Sequence, residues 1–135
     1  MYRGYVPSNG EFMSFICQIR GWLECSQEAR HELISTLEKL DEERDVNKQS
    51  LSAKVWSFAA GPQRFCEYLF CAADVPGGLV IDFERHLQHF LSLSFDLSGF
   101  FYIQTEDGEV TWWYRVSHDV LSKEEHGPLY DNFVH

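Results

Sequence analysis

The segment FFYIQTEDGEVTWWYRV, residues 100–116, constrains the fold of this chain more than any other stretch. Asp107-Gly108 at its centre is a strong chemical signature of a tight two-residue hairpin, because such a turn needs positive φ and glycine adopts it freely. The flanking runs are rich in aromatic and β-branched residues and read as its two strands. Register then follows from the turn. With Glu106 facing Glu109, Ile103 opposes Trp112 and Phe101 opposes Tyr114 on one face, while Tyr102 opposes Trp113 and Phe100 opposes Arg115 on the other. Both faces of the ribbon carry rings. A layer of helices buries one of them, so the second is either a contact surface or is covered by an end of the chain.

The upstream chain supplies the rest of the sheet. MYRGYVPSNGE reads as an irregular lead-in ending in a turn. From Met13 to Leu23 the odd positions are Met13, Phe15, Cys17, Ile19, Gly21 and Leu23, a two-residue period that predicts a strand with one buried face. Ile16 and Trp22 fall on its opposite face, and Gly21 suits a bulge or bend. Ser26 caps a helix expected over residues 27–39, with Glu28 in the first turn and Ala29, Leu33, Leu37 and Leu40 forming an apolar stripe that Ile34 widens. DEERDVNKQS is a frayed helix end and solvated loop. Ala53 to Ala60 is a second strand stopped by Gly61-Pro62; FCEYLFC, Phe65 to Cys71, fits a third strand by its ring content and also a turn-rich helical segment, with the strand preferred, and ADVPGG breaks whichever it is. Asp82 caps a second helix whose inner positions are Phe83, Leu87, Phe90 and Leu91. The tail from Leu121 to His135 is expected to pack only loosely.

The element order is strand, helix, strand, strand, helix, strand, strand. Two striped helices need a common apolar surface, so the economical arrangement is α+β: a largely antiparallel sheet with both helices on one face. The first six elements match a ferredoxin-like split β-α-β-β-α-β unit, and the last is an extra antiparallel C-terminal strand. The expectation is a single domain over residues 1–135, ordered from about 12 to about 120 with short irregular ends.

Composition narrows function. The chain has 135 residues, 44% of them hydrophobic and 16% aromatic, enough for a real core. Asp and Glu number 21 against 11 Lys and Arg, and the resulting charge of -10 repels a phosphate backbone, so direct nucleic-acid binding is not expected. No apolar run reaches about 18 residues and no leader pattern opens the chain, so no membrane role is expected and the cytoplasm is the default location. Cys17, Cys25, Cys66 and Cys71 are separated by eight, forty-one and five positions, which is not a zinc spacing; reduced, mostly buried thiols are expected. His86 and His89, three apart on the second helix, read as semi-buried or surface histidines. No phosphate loop, dinucleotide fingerprint or metal-binding motif occurs, and neither a cofactor nor catalytic residues are expected.

The expected role is protein binding. Trp22, Tyr102, Trp113 and Arg115 are the candidate contact residues, since Tyr, Trp and Arg combine rigid area with a directional polar group. Acidic residues gather as Asp41, Glu42, Glu43 and Asp45, again as Glu106, Asp107 and Glu109, and at Glu124 and Glu125; their summed field attracts a basic partner and speeds its association. The succession of a strand ending GWLEC, a capped helix, a WSFAAG strand, a second helix and the GFFYIQTEDGEVTWWYRV hairpin resembles small bacterial ferredoxin-like toxin-immunity proteins over about residues 12–116. The likeness lies in element order and texture, so it carries no site residue across. It implies a protein that binds and neutralises a cognate toxin, often a nuclease, without catalytic residues of its own. Three other readings stand beside it: a phage-type antagonist that mimics nucleic acid, a homodimeric structural protein that buries its ring face against itself, and a small hydrolase using paired carboxylates.

Overall fold

The computed structural model describes residues 15–44, 50–59 and 66–127. Strand β1 (Ile16–Cys25) leads into helix α1 (Gln27–Glu42), then the short strand β2 (Trp56–Phe58) and the long strand β3 (Glu67–Pro76). Helix α2 (Val80–Leu91) follows, and strands β4 (Ser98–Thr105), β5 (Thr111–Ser117) and β6 (Val120–His126) complete the fold. The six strands form one antiparallel sheet in the order β2-β3-β1-β4-β5-β6. The first four strands have the ferredoxin-like split arrangement, with β1 central because each helical crossover skips a strand.

Alternation along the strands sends one set of side chains to the helices. Cys17, Ile19, Leu23 and Cys25 of β1 are buried there with Leu69 and Cys71 of β3, Phe101 and Ile103 of β4, and Trp112, Tyr114 and Val116 of β5. Helix α1 covers them with Ala29 and Leu33, and α2 with Phe83, Leu87, Phe90 and Leu91. Rings set the geometry of this core. Trp56 lies parallel to Phe83 at 5.6 Å and meets Phe90 and Phe101 edge-on at 4.9 and 5.6 Å; Phe83 meets Tyr114 edge-on at 5.6 Å. The indole N–H of Trp56 donates to Nδ1 of buried His86 at 3.0 Å. Burial therefore pushes the His86 imidazolium down to a pKa of about 4, and the ring is neutral at pH 7.

The hairpin register is the one its turn predicts: Phe100↔Arg115, Phe101↔Tyr114, Tyr102↔Trp113 and Ile103↔Trp112. The loop is wider than two residues, spanning 106–109, with Gly108 at φ 74° donating to the Thr105 carbonyl at 2.8 Å. Ser26 caps α1 as expected, its Oγ accepting from Ala29 N at 3.1 Å. Ile34, expected to widen the buried stripe, is exposed instead.

Further expectations are corrected. Strand β3 runs on through Ala72 to Pro76, because the proline comes at the end of the ladder, opposite Ile16, where the missing N–H is tolerated. Among the described residues of the expected second strand, 56–58 form the strand, and a 3-10 turn, Ala53–Val55, precedes them; Ala60 lies outside the described residues. Helix α2 starts two residues before Asp82, whose carboxylate instead accepts from Leu51 N at 2.9 Å. The tail does not pack loosely as far as His126, because residues 120–126 form β6 on the edge beside β5. Gly21 makes no bulge either: both ladders pass through it unbroken. A Cβ there would collide with the Phe100 carbonyl and the Phe101 ring, and one at Gly99 would collide with the Trp22 carbonyl, so glycine lets β1 and β4 close on each other.

Candidate functional site

With both helices on one side, the other side chains of the sheet are left outside that core. Cross-strand pairing orders them into rows. One row runs Phe70, Trp22, Phe100, Arg115 across β3, β1, β4 and β5. The adjacent row runs Ala72, Arg20, Tyr102, Trp113 and then Glu124 on β6. Polar side chains border this band, with Asp74, Gln18, Gln104, Thr111 and His126 in register along one flank.

The two central rows line an open groove of about 760 Å³. Trp22 and Phe70 keep 40% and 41% of their surface exposed, and Tyr102 and Trp113 are half-buried. The rings brace one another: Trp22 and Phe100 have centroids 6.0 Å apart, and Phe100 meets Trp113 edge-on at 5.7 Å. On its far side Trp113 is stacked on His126 at 3.9 Å. Such mutual support holds large apolar area in place before any ligand arrives, which lowers the ordering cost of binding.

The groove has two cations. Arg20 is anchored: one amine donates to the carbonyls of Ile19 and Ala73 at 2.8 and 2.9 Å, and the other to Asp74 at 2.9 Å. Arg115 is freer, its guanidinium lying 5.1 Å from the Trp113 ring centre and 5.7 Å from that of Phe100. Its carboxylate neighbour, Glu124, is 4.0 Å away and bonds His126 at 3.1 Å.

All four expected contact residues, Trp22, Tyr102, Trp113 and Arg115, thus line one groove. Of the acidic residues, Glu124 borders it beside Arg115, and the two main clusters lie away from it. Asp41 accepts from Ser52 Oγ and Ala53 N in the helical layer, Glu42 ends α1, Glu43 caps it, and Asp45 lies outside the described residues. Glu106 accepts from Ile16 N, Asp107 accepts from Thr105 Oγ1 and Glu109 N, and these three acids sit at the β4–β5 turn. They build local structure at two separate places, and no carboxylate lines the groove among the described residues. Sequence reasoning missed Phe70 and Ala72 as groove residues, although the alternation Tyr68, Phe70, Ala72 against Leu69, Cys71 contains the signal.

Two other places have chemistry-bearing side chains. Burial pushes the Cys17 and Cys25 thiols up to about 11 and Cys71 to about 12, so all three are protonated packing groups at neutral pH. In a smaller cleft beside α2, Tyr114 donates to Glu84 at 2.5 Å and Lys123 reaches the same carboxylate at 2.9 Å. Burial and that carboxylate hold the Tyr114 hydroxyl protonated well above the usual phenol range. Among the described residues no group of three His, Cys, Asp or Glu converges as a metal site, and no helix is long and apolar enough to cross a membrane.

The class these features define is an α+β protein of ferredoxin-like split topology, widened by two strands, with an aromatic sheet face that no helix among the described residues covers. Comparison with protein-family models, curated proteins and solved structures finds no match to this chain.

Proposed function

We propose that this chain is a non-catalytic protein-binding domain that acts by occlusion, docking a partner protein on its ring-lined sheet face. One observation carries the reading: Phe70, Trp22, Phe100, Tyr102 and Trp113 form a braced aromatic band outside the helix-covered core, with the Trp22 and Phe70 rings about two-fifths exposed. A contiguous apolar face of this kind, containing Trp, Tyr and Arg and bordered by polar side chains, has the make-up of an interface centre with its rim. The net charge of -10 favours a basic partner at long range, as in an inhibitor of a nuclease toxin, and four free thiols suit a reducing cytoplasm.

Affinity capture from native lysate with the wild-type chain and with a Trp22→Ala, Phe70→Ala variant tests this. Both positions are exposed, so the variant folds; it is expected to lose a partner that the wild type retains. Recovery of the same partners by both forms overturns the docking face. Sedimentation over a concentration series separates the alternative of a dimer closed on this face, which would show the wild type associating and the variant not.

A further inference from the structure

The groove is cationic inside an anionic molecule, and this local inversion defines what fits it. We propose that the partner segment seated there presents an aspartate or glutamate side chain to Arg115, with an apolar side chain beside it on the rings of Trp22, Phe100 and Trp113. This rests on the docking reading above and specifies its contact chemistry.

The two arginines are not equivalent. Arg20 has its amines committed to two carbonyls and to Asp74, so it is part of the wall. Arg115 has its guanidinium carbon 5.1 and 5.7 Å from two ring centres, its side chain is 51% exposed, its carboxylate neighbour Glu124 stands 4.0 Å away, and no acceptor among the described residues lies within hydrogen-bond distance of its guanidinium. A cation–π contact draws on the guanidinium's charge and leaves N–H donors unspent, and a carboxylate can answer a guanidinium with two parallel bonds. Trp113 Nε1, by contrast, is sealed from solvent with no acceptor among the described residues, so Arg115 is the donor that faces a ligand. The groove thus offers donors and apolar surface, with Asp74 committed to Arg20 and Glu124, at 4.0 Å from Arg115, committed to His126 at its rim.

The same facts select the source of the anion. A net charge of -10 opposes a phosphate chain but admits a single carboxylate brought in with apolar area. The groove floor is formed by β3, β1, β4 and β5, whose amides are engaged in ladders, so there is no nest of free N–H groups such as captures a chain terminus. A side-chain carboxylate is the remaining match. A partner that is basic as a whole satisfies this with one acidic residue next to a ring or a branched aliphatic.

The probes are three peptides titrated into the full chain while the indole resonances of Trp22 and Trp113 are followed by NMR: acetyl-Ala-Glu-Phe-Ala-amide, the same peptide with Gln for Glu, and acetyl-Ala-Ala-Phe with a free carboxyl end. The Glu peptide is expected to bind roughly tenfold tighter than the Gln peptide, as for a charge-assisted bond, and Arg115→Gln is expected to erase that difference while both peptides still shift the indoles. Equal binding of the Glu and Gln peptides to the wild type overturns the carboxylate and leaves ring docking standing. Tighter binding of the free-carboxyl peptide than of the Glu peptide overturns the side-chain source. Peptides that move neither indole overturn the docking face and this inference together. Persistence of the Glu preference in Arg115→Gln assigns the carboxylate elsewhere and also overturns the inference.

Discussion

Protonating His86 is costly because the ring is only 5% exposed and its Nδ1 is the acceptor for the Trp56 indole. Its folded-state pKa, about 4, lies below the ordinary 6.5, so the unfolded chain binds the proton more readily. The stability this confers is complete above pH 6.5 and is lost as pH falls from there toward 4, on the order of 3 kcal/mol across the window. Urea unfolding of the wild type at pH 7 and pH 4.5 should show this loss, and His86→Phe should show a smaller pH slope from a lower starting stability, since the buried indole N–H then lacks its acceptor. Gly21 is equally demanding for a steric reason. Gly21→Ala should cost about 1–3 kcal/mol or more, because backbone and a packed ring must give way, and thermal unfolding measures it. The sequence reading took His86 as semi-buried or at the surface, whereas it is sealed in the core. It had no access to the ring that would meet it, since Trp56 comes from another element thirty positions away.

At the scale of elements, what chemistry marks locally was legible and what tertiary contact decides was not. Asp107-Gly108 announces its turn through glycine, and the ring pairing of β4 with β5 follows from parity alone. The β5–β6 turn is made by His118 and Asp119, both at positive φ, 50° and 66°, with neither glycine nor asparagine to signal it. That conformation is unfavourable for these residues and is held by its neighbours. Asp119 carboxylate oxygens accept from Asp96 N at 2.9 Å and Leu97 N at 2.7 Å, and Asp119 N donates to Leu97 O at 2.9 Å. Asp119→Ala should therefore destabilise the domain by about 1–3 kcal/mol and speed amide exchange in β6 more than in β1, which hydrogen-exchange measurements would reveal. Without such anchoring β6 reads as a polar tail, and a strand-ending Pro76 followed by two glycines reads as a break several residues too early.

For the molecule as a whole, the two-sided ring content of one hairpin correctly indicated a face outside the helical core, since two helices have only one side of a sheet to cover. How far the band extends was hidden, because Phe70 joins it through β3, whose pairing with β1 is long-range. The inward and outward rings should separate energetically. Trp56→Ala is expected to cost about 3–5 kcal/mol, whereas Trp22→Ala should stay within about 1 kcal/mol of the wild type, and denaturant titration distinguishes them. Association with a basic partner should slow as salt rises from about 0.05 to 0.5 M, because the field of the excess acidic residues is screened, while dissociation changes less; stopped-flow mixing reads both rates.

The distribution of tryptophan also gives this protein a built-in optical division of labour. Trp56 and Trp112 are sealed in the core at 5% and 3% exposure, while Trp22 and Trp113 belong to the outer band. An aqueous quencher such as iodide will dim the emission of the outer pair first, and Trp22 above all, so the shielding of that fraction reports occupancy of the face. The inner pair changes colour only when the domain unfolds.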